Sequence, residues 1–169
     1  WYHRVRAQVT GAKPGDDVKV WFEAPATGAK TTPFTYHQRS DSNNKVLVLA
    51  AEDYTGTSAL PPYPSADGPF FVDYYTDALA ANGITSDVYD IDAEGRRAPD
   101  PLGVLSHYEA VIWETGNDNV TRDFDRRSVA PKLPPDTQTA VRDYMNEGGR
   151  LLYTGVNAGR QYTVAEYPG

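Results

Sequence analysis

The chain has 169 residues, a formal net charge of −7 and no cysteine, so it is long enough for one domain, or for one domain with a fragment of another. The absence of cysteine excludes disulfides, thiolate nucleophiles and cysteine-based metal sites. The acidic balance argues against nucleic acid as a partner, and no apolar run approaches the roughly 20 residues that a membrane span requires.

Residues 1–38 show the pattern of short antiparallel strands. Apolar and polar side chains alternate in residues 1–10, and similar alternation returns at 17–22 and at 34–38. A period of two residues is typical of a half-buried strand. Because three short strands make only part of a sandwich, we predict a fragment of a β-sandwich-like module over 1–38, followed by a polar linker over 39–44.

The pattern changes at residue 45, where KVLVLA forms a continuous apolar run. Such a run is typical of a strand that is covered on both faces. Further predicted strands occupy residues 86–92, 108–114 and 150–155. Because strands and helices alternate along the chain, the pattern favours a parallel sheet. We therefore predict an α/β domain with a parallel three-layer sheet over the remaining residues, 45–169.

A short helix is predicted between the second and third of these strands, and two longer helices are predicted before and after it. Pro69 suits the first turn of one helix, with Asp67 or Gly68 as its cap, and Gly83 follows its end. The other begins near Pro134. Their predicted apolar faces are Phe71, Tyr74, Tyr75, Ala78 and Leu79 in the first helix, and Ala140, Val141, Tyr144 and Met145 in the second.

Polar side chains follow each predicted strand of the α/β domain. Because ligands of parallel sheets bind beyond the carboxyl ends of the strands, we expect these side chains to converge at one edge. Asp92 and Glu94 follow the second strand, and Thr154 ends the fourth. The residues that we predict to bind a ligand follow the first and third strands: Glu52, Asp53, Tyr54, Glu114, Thr115, Gly116, Asn117 and Asp118.

The carboxylates at this edge have two interpretations. They can hold Mg²⁺ or Ca²⁺ through oxygen ligands, or act as acid and base if one pKa is raised, which would suit a small cation-dependent hydrolase using Glu114 or Asp53. The favoured interpretation is that they are solvated loop carboxylates of an acidic protein, because their spacing matches no known ligand set. The paired arginines at 96–97 are likewise interpreted as part of a solvated loop.

The sequence offers no set of catalytic groups. The turn LLYTGVNAG at 151–159 contains Thr154 but neither Ser nor Cys, and a threonine nucleophile needs a base beside it. The three histidines, His3, His37 and His107, show no convergent set of zinc ligands. We therefore predict no catalytic residue, no metal site and no cofactor in this chain.

Aromatic residues support a further alternative. The chain contains twelve Tyr, five Phe and three Trp. A flat exposed face lined by Tyr63, Phe70 and Trp113 would favour a carbohydrate-binding module. Such residues more often seal a small core.

Four segments in order resemble the class I glutamine-amidotransferase-like (flavodoxin-like α/β) fold: KVLVLAAEDYTG at 45–56, FFVDYYTDALAANGITSDVYDID at 70–92, LSHYEAVIWETGND at 105–118, and AVRDYMNEGGRLLYTG at 140–155. The resemblance covers about residues 45–157. It implies the fold but not the activity, since the family's nucleophilic cysteine would fall near 154–156, where this chain has no thiol.

The combination of the α/β motifs with VKVWFEA at 18–24 is similar to the region that follows the catalytic domain in secreted actinobacterial zinc carboxypeptidases of the carboxypeptidase A-like group. That group binds zinc through His-x-x-Glu and a later His, and this chain has no His-x-x-Glu. The resemblance implies a non-catalytic accessory domain of an extracellular metallopeptidase, which packs on the peptidase domain or binds substrate or cell surface. Zinc is expected only in the parent's catalytic domain.

The expected partners are therefore other domains of the same polypeptide. Because the chain begins at Trp1 inside a predicted strand and ends soon after another, we interpret it as a segment of a longer protein. The α/β domain over 45–169 is then truncated at its C-terminus.

Overall fold

The structure is a computed structural model that describes residues 9–38, 43–55, 67–117, 133–156 and 158–159. Within these ranges the chain forms, in order, β1 (Asp17–Val20), β2 (Phe34–His37), β3 (Val46–Ala50), α1 (Val72–Ala81), β4 (Ser86–Asp90), a 3₁₀ turn (Leu105–His107), β5 (Ala110–Glu114), α2 (Leu133–Asn146) and β6 (Arg150–Thr154).

Strands β1 and β2 pair antiparallel, with Asp17 opposite His37, as the alternation predicts. We call residues 13–38 the ribbon. Strand β1 ends at Val20, so the strand predicted to reach Phe22 is shorter than expected, and beyond it lies an isolated bridge between residues 23 and 30. Most of the first predicted strand falls in residues 1–8, which lie outside the described residues, as do residues 39–42 of the predicted linker.

The other four strands form one parallel sheet in the order β4–β3–β5–β6. Leu47 of β3 lies opposite Val111 of β5, and Leu49 lies opposite Trp113. The prediction of a parallel α/β sheet with these two strands as neighbours is confirmed. The continuous apolar run in β3 is explained by its central position, since its residues 47–50 are buried.

The two helices cover opposite faces of the sheet. Ala140, Val141 and Tyr144 of α2 join a buried cluster with Leu47 and Leu49 of the sheet. On the other face, α1 packs through Val72, Tyr75 and Leu79 against Val48 and Ala50 of β3. Because side chains alternate between the faces of a strand, the same strand supplies both clusters, and the predicted three-layer arrangement is confirmed.

Two details of the predicted helices are wrong. Helix α1 begins at Val72, later than Pro69, and its N-cap residue Phe71 provides no side-chain cap; neither Asp67 nor Gly68 performs that role. On the predicted apolar faces, Tyr74 and Met145 are exposed. Both residues satisfy the helical spacing, but the sheet is contacted instead by Val72, Tyr75 and Leu79 of α1 and by Ala140, Val141 and Tyr144 of α2.

The ribbon contacts the α/β unit at the loop before β5. The amide Nε2 of Gln38 lies 2.6 Å from Nε2 of His107. A Cβ atom added to Gly103 would lie 2.2 Å from the carbonyl oxygen of His37. A side chain at position 103 would therefore push the ribbon away from the sheet.

Candidate functional site at the carboxyl edge of the sheet

The parallel register brings the ends of the strands level with one another. Ala50, the last residue of β3, lies beside Asp90 of β4 and Glu114 of β5, and Glu114 lies beside Thr154 of β6. The loops after these strands therefore emerge together. The expectation that the strand-end side chains share one edge of the sheet is met for the described residues; Asp118 lies outside them.

Glu52 lies at the amino end of α1. The N–H of Phe71 donates to Oε1 at 2.7 Å, and the N–H of Phe70 donates to Oε2 at 2.8 Å. Glu52 is 1% exposed. These two N–H groups lie just before Val72, the first residue of α1, and a carboxylate near the amino end of a helix interacts favourably with the helix dipole. Glu52, which follows β3, therefore caps the amino end of α1 from outside the helix.

Asp53 and Asp92 share one guanidinium. Nη1 of Arg96 donates to Oδ1 of Asp53 and, at 3.0 Å, to Oδ1 of Asp92. Both carboxylates are buried, and the Arg96 side chain is 19% exposed. Arg96 also has a positive φ of 56°, which is uncommon for a residue with a side chain. The interpretation of Arg96 as part of a solvated loop is wrong, because its charge lies between two buried carboxylates.

Tyr54 and Thr55 attach the same loop to β4. The hydroxyl of Tyr54 donates to Oδ2 of Asp90 at 2.7 Å, and both the N–H and the hydroxyl of Thr55 donate to Oδ2 of Asp92. Burial, followed by the hydrogen bond to Asp90 and the nearby carboxylates, raises the pKa of Tyr54 well above its ordinary value. The phenol therefore remains a donor to Asp90 at alkaline pH, where an ordinary tyrosine would ionise.

The residues after β5 pack closely against the loop after β3. Oε2 of the fully buried Glu114 accepts a hydrogen bond from the N–H of Gly116 at 2.9 Å. Gly116 has a φ of 54°, and a Cβ atom there would lie 2.9 Å from the Phe71 ring and 3.0 Å from Cγ of Glu52. Thr115 donates its N–H to the carbonyl of Thr154. A side chain at position 116 would thus displace the capping carboxylate.

The buried carboxylates correct the interpretation of this edge as a solvated cluster. Glu52, Asp53, Asp92 and Glu114 are all buried, and each accepts hydrogen bonds from neighbouring groups of the protein. In the part of the chain that the structure describes, no group of three or more His, Asp or Glu is placed to hold a metal ion. Where two carboxylates do approach one another, at Asp53 and Asp92, the guanidinium of Arg96 supplies the positive charge.

A cleft of about 390 Å³ opens beside this edge, between the first turn of α1 and the end of β6. Its walls are Phe71, Tyr74 and Tyr75 on one side and residues 154–156 on the other. The rings of Phe70 and Phe71 meet edge to face at 5.2 Å, and the rings of Phe71 and Tyr74 are 6.1 Å apart. Phe70 and Tyr74 are more than half exposed. We call Phe70, Phe71 and Tyr74 the aromatic cluster.

Trp113 does not belong to an exposed face with Phe70, the arrangement that would favour a carbohydrate-binding module. Trp113 is 4% exposed, and its ring lies against Tyr153 with centroids 4.3 Å apart. It therefore belongs to the core, while Tyr63 lies outside the described residues. Phe71 and Tyr74, which take its place beside Phe70, were predicted only as core residues of a helix. Phe71 is the N-cap residue and not part of the helix, and Tyr74 is exposed, so neither belongs to the face of α1 that packs on the sheet.

Comparison with known proteins gave no match: no family model, no curated protein and no solved structure matches this chain. Among the described residues, neither helix has the length and apolar character needed to cross a membrane.

Proposed function

We propose that this chain is a non-catalytic accessory domain of a secreted zinc metallocarboxypeptidase and packs against the peptidase domain. Packing against the peptidase domain is supported by the exposure of large apolar side chains in and beside the ribbon. Val9 is 45% exposed, Trp21 47% and Phe22 44%. A two-stranded hairpin has little stability by itself. Neighbouring exposed apolar side chains are typical of a surface that contacts another protein. The peptidase, its zinc and its secretion rest on the sequence resemblance.

The chemistry of the carboxyl edge supports a non-catalytic role. Glu52 and Asp53 bind the chain's own N–H groups and guanidinium, and the turn at 154–156 carries no Ser or Cys. A general base must reach the proton that it removes, and a carboxylate that caps a helix is fixed by that task. The side chains at this edge are thus explained by the stability of the fold.

The packing proposal predicts the effect of a ribbon variant. In a titration of this chain with the separately prepared peptidase domain, Trp21→Ser combined with Phe22→Ser should weaken binding by about tenfold or more, because aromatic residues dominate the energy of protein interfaces. Val88→Ser is the matched control, since Val88 is equally exposed at 45% but lies on β4. Equal affinities for the two variants, or no binding by the unaltered chain, would contradict the proposal.

A carbohydrate-binding module is the second candidate, favoured by the exposed aromatic cluster beside the cleft. Aromatic rings provide a large apolar face against which the ring of a sugar can pack. Tyr74→Ala should therefore weaken binding of soluble neutral polysaccharides about three- to tenfold in affinity electrophoresis. Phe22→Ala removes an exposed ring far along the chain from the cluster and should leave the mobility unchanged. Identical mobility of all three proteins would exclude this candidate.

A further inference from the structure

Two adjoining grooves lie between the ribbon and α2, and the second extends to Glu94 and Arg97 in the loop after β4. The first, of about 680 Å³, is lined by Phe34 and Leu102 together with the amino ends of β5 and β6 and the end of α2. The second, of about 510 Å³, runs along the ribbon on the other side of Asp100 and Asp143, which line both grooves. We call the two grooves together the trough.

The trough combines apolar walls with a negative rim. Phe34 is 43% exposed and Leu102 is 41% exposed. Pro101 lines both grooves. The lining contains two arginines, Arg97 and Arg150, against seven carboxylates: Asp17, Glu94, Asp100, Glu109, Asp136, Asp143 and Glu147.

Some of these carboxylates contact cations of the chain itself. Lys45 approaches Glu109 at 3.3 Å, and Arg142 approaches Asp143 at 2.9 Å. The side chains of both pairs are about half exposed or more, and exposed pairs contribute little stability and are readily exchanged. Asp17 likewise lies 3.0 Å from Nδ1 of His37. Among the described side chains that line the trough, carboxylates outnumber arginines seven to two.

We infer that the trough binds a basic peptide segment of a partner protein, one that carries arginine or lysine side chains. The long methylene stems of these side chains cover apolar surface while their charged ends remain in water. Phe34 and Leu102 are placed to contact the stems, and the carboxylate rim is placed to attract the charged ends. A guanidinium can also lie over the exposed Phe34 ring. This inference goes beyond the proposed function, since it concerns a different surface and requires no peptidase domain.

The test uses the full chain and a short peptide of alternating arginine and leucine, with the binding followed by fluorescence anisotropy. The matching peptide of glutamate and leucine is the probe control and should not bind. Asp143→Asn combined with Glu147→Gln removes two charges from the trough and should weaken binding about tenfold. Leu102→Ser should weaken it severalfold by removing apolar contact.

The matched control is Asp73→Asn combined with Asp77→Asn, because both residues are exposed on α1 and the net charge changes by the same amount. This control should bind the arginine peptide with an affinity within about twofold of the unaltered chain, and circular dichroism should show all variants folded. If the two double variants weaken binding equally, the attraction belongs to the net charge of the chain and the inference is wrong. Failure of the unaltered chain to bind the arginine peptide would overturn it as well.

Discussion

Arg96→Met should lower the free energy of unfolding by about 3–5 kcal/mol. The substitution keeps a long side chain but leaves the buried carboxylates of Asp53 and Asp92 without the guanidinium that lies between them. Removing one member of a buried charge cluster is costly because the remaining charges stay out of water. Methionine must adopt the same positive φ as arginine at this position. The measured loss of stability therefore reflects the removal of the charge. Urea unfolding followed by circular dichroism gives the value.

Arg142→Met is the matched control for this prediction. Arg142 contacts Asp143 on the surface of α2, with side chains 64% and 48% exposed. Arginine and methionine have similar helix propensities, and an exposed pair of this kind contributes at most about 1 kcal/mol. A loss at Arg96 no larger than the loss at Arg142 would show that the guanidinium is not needed to keep Asp53 and Asp92 buried.

Trp113→Ala should lower the free energy of unfolding by a similar amount, about 3–5 kcal/mol. The indole is buried in the α2 face of the sheet and lies against the ring of Tyr153. Its removal leaves a cavity in the centre of a close-packed sheet, which the neighbouring strands can fill only partly. The prediction is measured by chemical unfolding with circular dichroism, because the substitution also removes a fluorophore.

Trp21→Ala tests the same residue type where it is exposed. Trp21 is 47% exposed on the ribbon, and surface substitutions of this kind usually change stability by no more than about 0.5 kcal/mol. Comparing the two variants therefore distinguishes the stability contributed by a buried tryptophan from that contributed by an exposed one. Comparable losses for the two variants would place Trp113 outside the core and would favour an exposed aromatic face that includes it.

The strands of the α/β unit were predictable because their signal is local. A parallel strand buried on both faces is apolar at consecutive positions, and β3 and β5 both show this run. Gly83 and the pair Gly148–Gly149 mark the helix ends for an equally local reason, since glycine accepts the backbone conformation that follows a helix. The order of these signals was sufficient to predict the parallel sheet.

The roles of the edge residues were not predictable, because their partners are distant in sequence. Asp53 pairs with Arg96 across 43 positions, and Glu52 accepts hydrogen bonds from two N–H groups just before α1, 18 and 19 positions away. Only the spacing of Asp92 and Arg96, four residues apart, gave a local indication of an ion pair. The sequence pattern locates the carboxylates at the edge, whereas their burial depends on how the loops meet.

The charge at the amino end of α1 restricts what can occupy the neighbouring cleft. In many α/β proteins the free N–H groups at such a helix end hold a phosphate. Here the carboxylate of Glu52 already takes the N–H groups of Phe70 and Phe71, so an incoming phosphate would meet a fixed negative charge instead of free donors. Nucleotides and sugar phosphates are disfavoured at this position, and an occupant of the cleft is expected to be neutral or positively charged.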